Sequence, residues 1–335
     1  MFYINQMACS NIMNKNSSIY IAGHGGLIGS ALLRKLSTEG FENILVRARS
    51  ELDLLNYHCV MDFFCKNKPE YVVLAAGKVG GIESNQNYPA DFIVENIQIQ
   101  LNILSAAREN NVRKLIFFGS SCMYPRDCKQ PMSENDLLTG KPEGTSLPYA
   151  IAKLAGIHTC LAYNKQDGNQ RFVPVIPNSV YGPNDNFDAR AGHVLSALIS
   201  KFHKAKLEEH PKVVLWGTGS ARREFVHADD VADACMHLLF NDISSLELPV
   251  NLGSGYDVSI KDLALRIAKL SGFNGDIHWD LAKPDGSPQK LLNSARINAI
   301  GWFPKVSLDD GLLSTYEWYV REIGRSLTEN EGEST

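Results

Sequence analysis

Short apolar runs separated by amphipathic stretches set the rhythm of the first half of the chain. Residues 19–22 (IYIA), 44–46 (ILV), 71–76 (YVVLAA), 114–118 (KLIFF) and 172–176 (FVPVI) are brief, continuous and rich in β-branched or aromatic side chains. That pattern predicts strands buried on both faces. Between them, residues 27–39, 55–66, 89–110 and 148–166 carry apolar positions at helical spacing. Strand and helix in alternation, with no internal repeat, predict a parallel sheet with right-handed crossovers. The expected fold class is therefore α/β, a Rossmann-type doubly wound parallel sheet whose ligands lie at the carboxyl ends of its strands.

From about residue 180 the rhythm breaks. Loops containing Pro and Gly (YGPNDNF, WGTGSARREF, KPDGSPQ) separate shorter elements, among them SIKDLALRIAKL, where Ser259 and Asp262 form a capping pattern. VVLW and PVNLG read as two strands that return to the sheet. A length of 335 residues exceeds one ordinary domain, so a smaller C-terminal α/β substrate domain is expected. The boundaries are 18–182 with 225–252 for the nucleotide domain and 183–224 with 253–326 for the substrate domain. Residues 1–17 read as a flexible extension without the n-region of a signal peptide, and 327–335 as a disordered acidic tail.

A net charge of −4 gives no electrostatic case for nucleic acid or an anionic membrane as partner. No apolar stretch approaches the roughly 20 residues of a membrane span. Seven irregularly spaced cysteines form neither a disulfide framework nor a CxxC metal pair. Reduced thiols in the cytoplasm, and no metal site, are the expectation.

Candidate chemistry starts after the first strand, where AGHGGLIG gives Gly23, Gly26 and Gly29 ahead of a helix. Such glycines let the backbone approach a pyrophosphate at the helix N-terminus. With Leu27, Ile28 and, after the third strand, Ala75 and Ala76, they are the expected cofactor contacts. The second strand ends in VRARSELDLL, offering Arg47 and Arg49 where an NAD site carries an acidic residue. Guanidinium groups suit a 2′-phosphate, so NADP(H) is the expected cofactor, with NAD(H) use left open. PYAIAKLAG places Tyr149 and Lys153 four residues apart, on one helix face. A lysine beside a phenol eases its proton exchange. FFGSSCMYP ends the fourth strand with Ser120 and Cys122. Taken alone, each of these is as readily a Gly-rich turn, surface charge or a core cysteine.

Together, AGHGGLIGSAL, AAGKVGGIESN, FFGSSCMYP, PYAIAKLAGI, VYGPNDNF, GHVLSALI, RREFVHADD and KPDGSPQKLL occur in order. The chain resembles the GDP-L-fucose synthase family, extended short-chain dehydrogenases/reductases that act on a GDP-linked 4-keto-6-deoxy sugar. The resemblance covers nearly all of residues 18–320. It implies that Ser120, Tyr149 and Lys153 serve carbonyl reduction, that Cys122 is the epimerisation base and that His193 is the epimerisation acid. It also implies that Arg223, Lys290 and Trp216 contact the nucleotide sugar, with Lys201 standing where the family has an arginine. A homodimer built on helices 89–110 and 148–166 is a further implication.

The chain departs from the family's pattern at Gly25, an arginine in the family's loop, at Gly77, and at Ala191-Gly192 before His193. The last change removes bulk near the sugar, so a related reductase acting on a GDP-4-keto-6-deoxy-heptose, with one or no inversion, is the alternative. A dehydratase lacks its acid/base carboxylate here, because Ser121 and Cys122 follow Ser120. A non-catalytic NADP-binding sensor would have no use for the proton donors.

Overall fold

A computed structural model describes residues 13–188, 192–283 and 285–332. In chain order the first half forms β1 (Ile19–Ala22), α1 (Leu27–Thr38), β2 (Ile44–Leu45), α2 (Tyr57–Asn67), β3 (Tyr71–Leu74), α3 (Ile82–Asn87), α4 (Pro89–Glu109), β4 (Lys114–Phe118), α5 (Leu147–Asp167) and β5 (Phe172–Pro177). Then come β6 (Ser179–Tyr181), α6 (Val194–Leu207), β7 (Lys212–Trp216), β8 (Arg222–His227), α7 (Ala228–Phe240), β9 (Val250–Leu252) and β10 (Asp257–Ser259). The chain continues with α8 (Ile260–Ser271), β11 (Asp276–Asp280), β12 (Gln289–Lys290), α9 (Ala295–Asn298) and α10 (Leu308–Gly332).

Six strands form the main sheet in the order β2-β1-β3-β4-β5-β9, every pair parallel. One core lies between the sheet and α1 and α7, with Leu32, Leu36, Val231 and Leu238 fully buried. The other lies beneath α2, α4 and α5, with Phe64, Ile103, Leu104 and Ile157. This two-sided cover explains why β1, β3, β4 and β5 are nearly continuous apolar runs, whereas β2, at the edge, is only half-buried. The strand order reverses between β1 and β3, which opens a crevice at their carboxyl ends.

The later chain builds a third core from α6, α8 and α10 with β7 and β8, including Leu195, Phe202, Leu263, Ile267 and Leu312. Here one expectation needs correction. PVNLG joins the main sheet as β9, but VVLW does not: β7 pairs with β11 in a separate two-stranded sheet among the described residues. Its Val214 and Trp216 face solvent, so its apolar run lacks the two-sided burial of the main strands. Strand β8 likewise leaves the main sheet, pairing with β6, β10 and β12. Both ends are also tighter than expected. Met13 is 2% exposed inside the first core, and Ser17 N donates to Asn14 O at 3.0 Å. At the other end α10 runs through residues 327–332. Residues 1–12 and 333–335 lie outside the described residues.

Candidate active site

Every main strand that carries a predicted site residue delivers it at the carboxyl end. After β1 the chain turns through Gly23, at φ +86°, a left-handed conformation that favours glycine. A Cβ on Gly23 would lie 2.7 Å from Ala76 N, and one on Gly29 would lie 2.1 Å from the Gly23 carbonyl oxygen. The loop is therefore closed against Ala75-Ala76 and against its own helix. Gly26 caps α1 without a side chain, which leaves the first-turn N–H groups facing outward. A pyrophosphate fits that cradle in charge and in space. Leu27 and Ile28 are half-buried, with their side chains packed against the first core.

The two arginines after β2 differ. Arg47 is half-buried, donates to the Val46 carbonyl at 2.6 Å and lies over the Phe63 ring at 5.4 Å. Arg49 is exposed. Gly25 faces open space, so the absence of a side chain there leaves the loop uncovered. Gly77 has the opposite surroundings: a Cβ would sit 2.8 Å from Asn96 Oδ1, which accepts from Lys78 N at 3.1 Å. Asp53 caps no helix; Asn56 caps α2, accepting from His58 N and Cys59 N.

At the end of β4, Ser120 turns the chain into a short 3-10 turn, and its Oγ accepts from Cys122 N at 3.4 Å. Tyr149 and Lys153 come from the first two turns of α5. The Tyr149 ring meets Phe92 of α4 edge-on at 6.2 Å. Lys153 is buried, and its Nζ donates to the Phe118 carbonyl at 3.0 Å, 5.8 Å from the Tyr149 ring centre. Burial lowers the Lys153 ammonium to about 8, with the neighbouring Cys122 opposing that fall. Burial raises the Tyr149 phenol well above its ordinary value, and Cys122 adds to the rise. One of the three ammonium donors of Lys153 is thus taken by the backbone. A protonated phenol at this place would be the donor that a developing alkoxide needs.

Cys122 is half-buried. Burial pushes its thiol up, while Lys290, a hydrogen bond from Ser120 and then Lys153 pull it back. Lys290 is the leading counterweight to that rise. Strand β12 pairs with β8 so that Lys290 stands opposite Arg223. Burial lowers both of these cations, and neither has a carboxylate ion pair among the described residues. Two like charges held side by side favour an anion between them.

The structure brings Ser120, Cys122, Tyr149 and Lys153 together, with Lys290 and Arg223 beside them. Trp216 stands at the end of β7, 64% exposed, with Lys283 Nζ 5.3 Å from its ring centre. Lys201 donates to the Val214 carbonyl at 3.0 Å, on the same outlying sheet. His193 caps α6, and its Nδ1 lies 4.0 Å from Asp185 Oδ1. Ala191, one of the two departures before it, lies outside the described residues. Gly192 N donates to Asp188 O at 2.9 Å, and a Cβ there would sit 2.4 Å from Asn186 O.

Three side chains were missed in the sequence. Asp185 lies within the quoted YGPNDNF segment, so its proximity to His193 was within reach. Arg126 and Glu143 had no local signal. They meet because residues 125 and 142 form an isolated bridge, which brings Arg126 Nε to 3.4 Å from Glu143 Oε2.

These features, a glycine cradle at the switch point and a Ser/Tyr/Lys group at the end of β4, define a nucleotide-dependent α/β enzyme. The chain belongs to the NAD dependent epimerase/dehydratase family, which matches residues 19–253. It is 50% identical to GDP-L-fucose synthase 1 of Arabidopsis thaliana over 94% of this chain and 96% of that one. To GDP-L-fucose synthase of Escherichia coli it is 45% identical, over 92% and 98% of the two chains. Among solved structures it is similar to a GDP-mannoheptose C4 reductase from Campylobacter jejuni with NADP bound, at 40% identity and a TM-score of 0.85, covering 92% of this chain and 99% of that one.

Proposed function

We propose that the chain converts GDP-4-keto-6-deoxy-D-mannose to GDP-L-fucose, inverting C3 and C5 and reducing the C4 ketone with NADPH. The observation that carries this is the meeting of a ketone-holding pair, Ser120 and Tyr149, with the Cys122 thiol one turn away and the Arg223–Lys290 cations alongside. GDP-L-fucose synthases at 45–50% identity support the substrate. Arg223 and Lys290 would receive the diphosphate. Ser120 and Tyr149 would grip O4, which acidifies the hydrogens on C3 and C5 and stabilises the enolate formed at each. Cys122 would remove the proton from one face and His193 return one to the other.

The glycine cradle, Ala75-Ala76, Lys153 and the arginines after β2 would hold NADP(H). When bound, the reduced nicotinamide supplies the hydride for C4. Tyr149 then gives its phenolic proton to O4. Lys153, fixed by the Phe118 carbonyl, holds the nicotinamide side of the site in place.

The test is turnover of GDP-4-keto-6-deoxy-D-mannose with NADPH in D₂O, followed by NMR of the product. GDP-L-fucose with deuterium at C3 and C5 is expected. A reduced sugar lacking either label would replace this reading with that of a 4-keto reductase, the activity that the name of the similar heptose enzyme carries.

We also infer a homodimer through α4 and α5. These helices pack together and expose Val94, Leu101, Leu147 and Ile151 in two adjacent stripes, an apolar surface suited to a second copy. Light scattering at the mass of one chain would remove that inference. A cytoplasmic setting is supported by Cys59, Cys65, Cys122, Cys128, Cys160 and Cys235, all free thiols.

A further inference from the structure

Two inversions in one binding event pose a proton problem. In a D-manno ring the hydrogens on C3 and C5 project from the same face. The proposed pair therefore works twice in the same direction. At the first centre, Cys122 Sγ⁻ takes the proton, the C–H electrons form the enolate, and the His193 imidazolium delivers a proton to the opposite face. The thiol is then protonated and the imidazole neutral. Before the second centre can react, one proton must leave Cys122 and one must reach His193. The acid is easily refilled, because the His193 side chain is 46% exposed. The thiol is half-buried and would be covered by the sugar.

A small cavity of about 10 Å³ opens off Cys122. Its walls include Ser121, Arg126, Gln130, Glu143 and Lys290, but none of Ser120, Tyr149, Lys153 or His193. Its lining is therefore separate from the Ser120, Tyr149 and Lys153 group, with Cys122 between the two. Its size suits about one water, and its walls supply the two to four polar partners that a water needs. Arg126 Nε lies 3.4 Å from Glu143 Oε2, and the Glu143 side chain is 22% exposed, so the carboxylate links the cavity to solvent. Lys290 lines the cavity together with Cys122 and Glu143.

We propose that this cavity is the proton exit of the epimerisation base, in which one water carries the proton from Cys122 Sγ to Glu143 and so resets the thiolate between the two inversions. The proposal rests on the reading of Cys122 and His193 as base and acid. No oxidant or reductant is involved: the S–H bond breaks, a carboxyl O–H forms, and that proton passes to bulk water. Glu143 acts through the thiol, not on the sugar.

The test is Glu143→Gln with GDP-4-keto-6-deoxy-D-mannose and NADP⁺ in D₂O, reading deuterium at C3 and C5 by NMR. In the variant the first centre should label within about two-fold of the native rate. The ratio of doubly to singly labelled sugar should fall about ten-fold or more. Glu143→Asp should restore much of that ratio. Reduction of the doubly inverted keto sugar by NADPH should be unchanged. A native ratio in Glu143→Gln would overturn the exit. So would equal loss of both labels with a lowered melting temperature, the mark of a merely structural role. Failure of the unmutated enzyme to label either carbon would reject the epimerase reading itself.

Discussion

The reduction centre and the His193 segment are built in contrasting ways. Tyr149 and Lys153 share one long helix whose inner face is buried, Lys153 is tied to the end of β4, and Phe92 fixes the Tyr149 ring. His193 instead caps α6, is nearly half exposed, and has one carboxylate, that of Asp185, at the edge of contact. The first arrangement is preformed; the second rests, among the described residues, on the cap of α6 and that carboxylate. Hydride transfer tolerates little misplacement of the proton donor. An acid that must exchange with solvent between two inversions gains from being exposed. With the roles proposed above, the contrast matches what the two half-reactions would demand.

The largest effect should come from the preformed side. Tyr149→Phe removes the proposed proton donor and should lower ketone reduction by roughly 10²- to 10⁴-fold. Binding of NADPH, measured by fluorescence titration, should be unchanged. Native turnover in this variant would remove tyrosine from the mechanism.

A smaller effect is expected on the other side. Asp185 is 5% exposed, accepts the Ser196 hydroxyl of α6, and has its Oδ1 4.0 Å from His193 Nδ1, where it is placed to orient the imidazole. Asp185→Asn should slow deuterium entry at C3 and C5 about ten-fold, with NADPH reduction of the doubly inverted sugar within about two-fold. Equal losses in both assays would erase the distinction between the two regions.

What the sequence revealed follows the same division. The strands of the main sheet were legible because burial on both faces leaves continuous apolar runs. Tyr149 and Lys153 were legible because a four-residue spacing has one meaning on a helix. The direction of the Lys153 ammonium was not, since its acceptor, the Phe118 carbonyl, lies 35 residues away in sequence. VVLW misled because Val214 and Trp216 are exposed apolar residues, and a run of four letters does not reveal which face is covered. The cavity off Cys122 left no trace at all. Its walls come from β4's loop, the segment before α5 and β12, joined only by the fold.

The smallest predicted effect sharpens the comparison at the far end of the nucleotide, within the preformed half. Arg47 is occupied by the Val46 carbonyl and the Phe63 ring, whereas Arg49 is exposed and Gly25 offers no side chain to share its work. Arg49 is then the guanidinium available to a 2′-phosphate. Arg49→Ala should weaken NADPH about ten-fold, the scale of one charge-assisted contact, and leave NADH nearly unaffected. Arg47→Ala should instead lower thermal stability by loosening the packing over Phe63, with little change in the NADPH/NADH ratio. If Arg47→Ala shifts that ratio as much as Arg49→Ala does, the cofactor end is not preformed, because Arg47 must leave its present contacts to reach the phosphate.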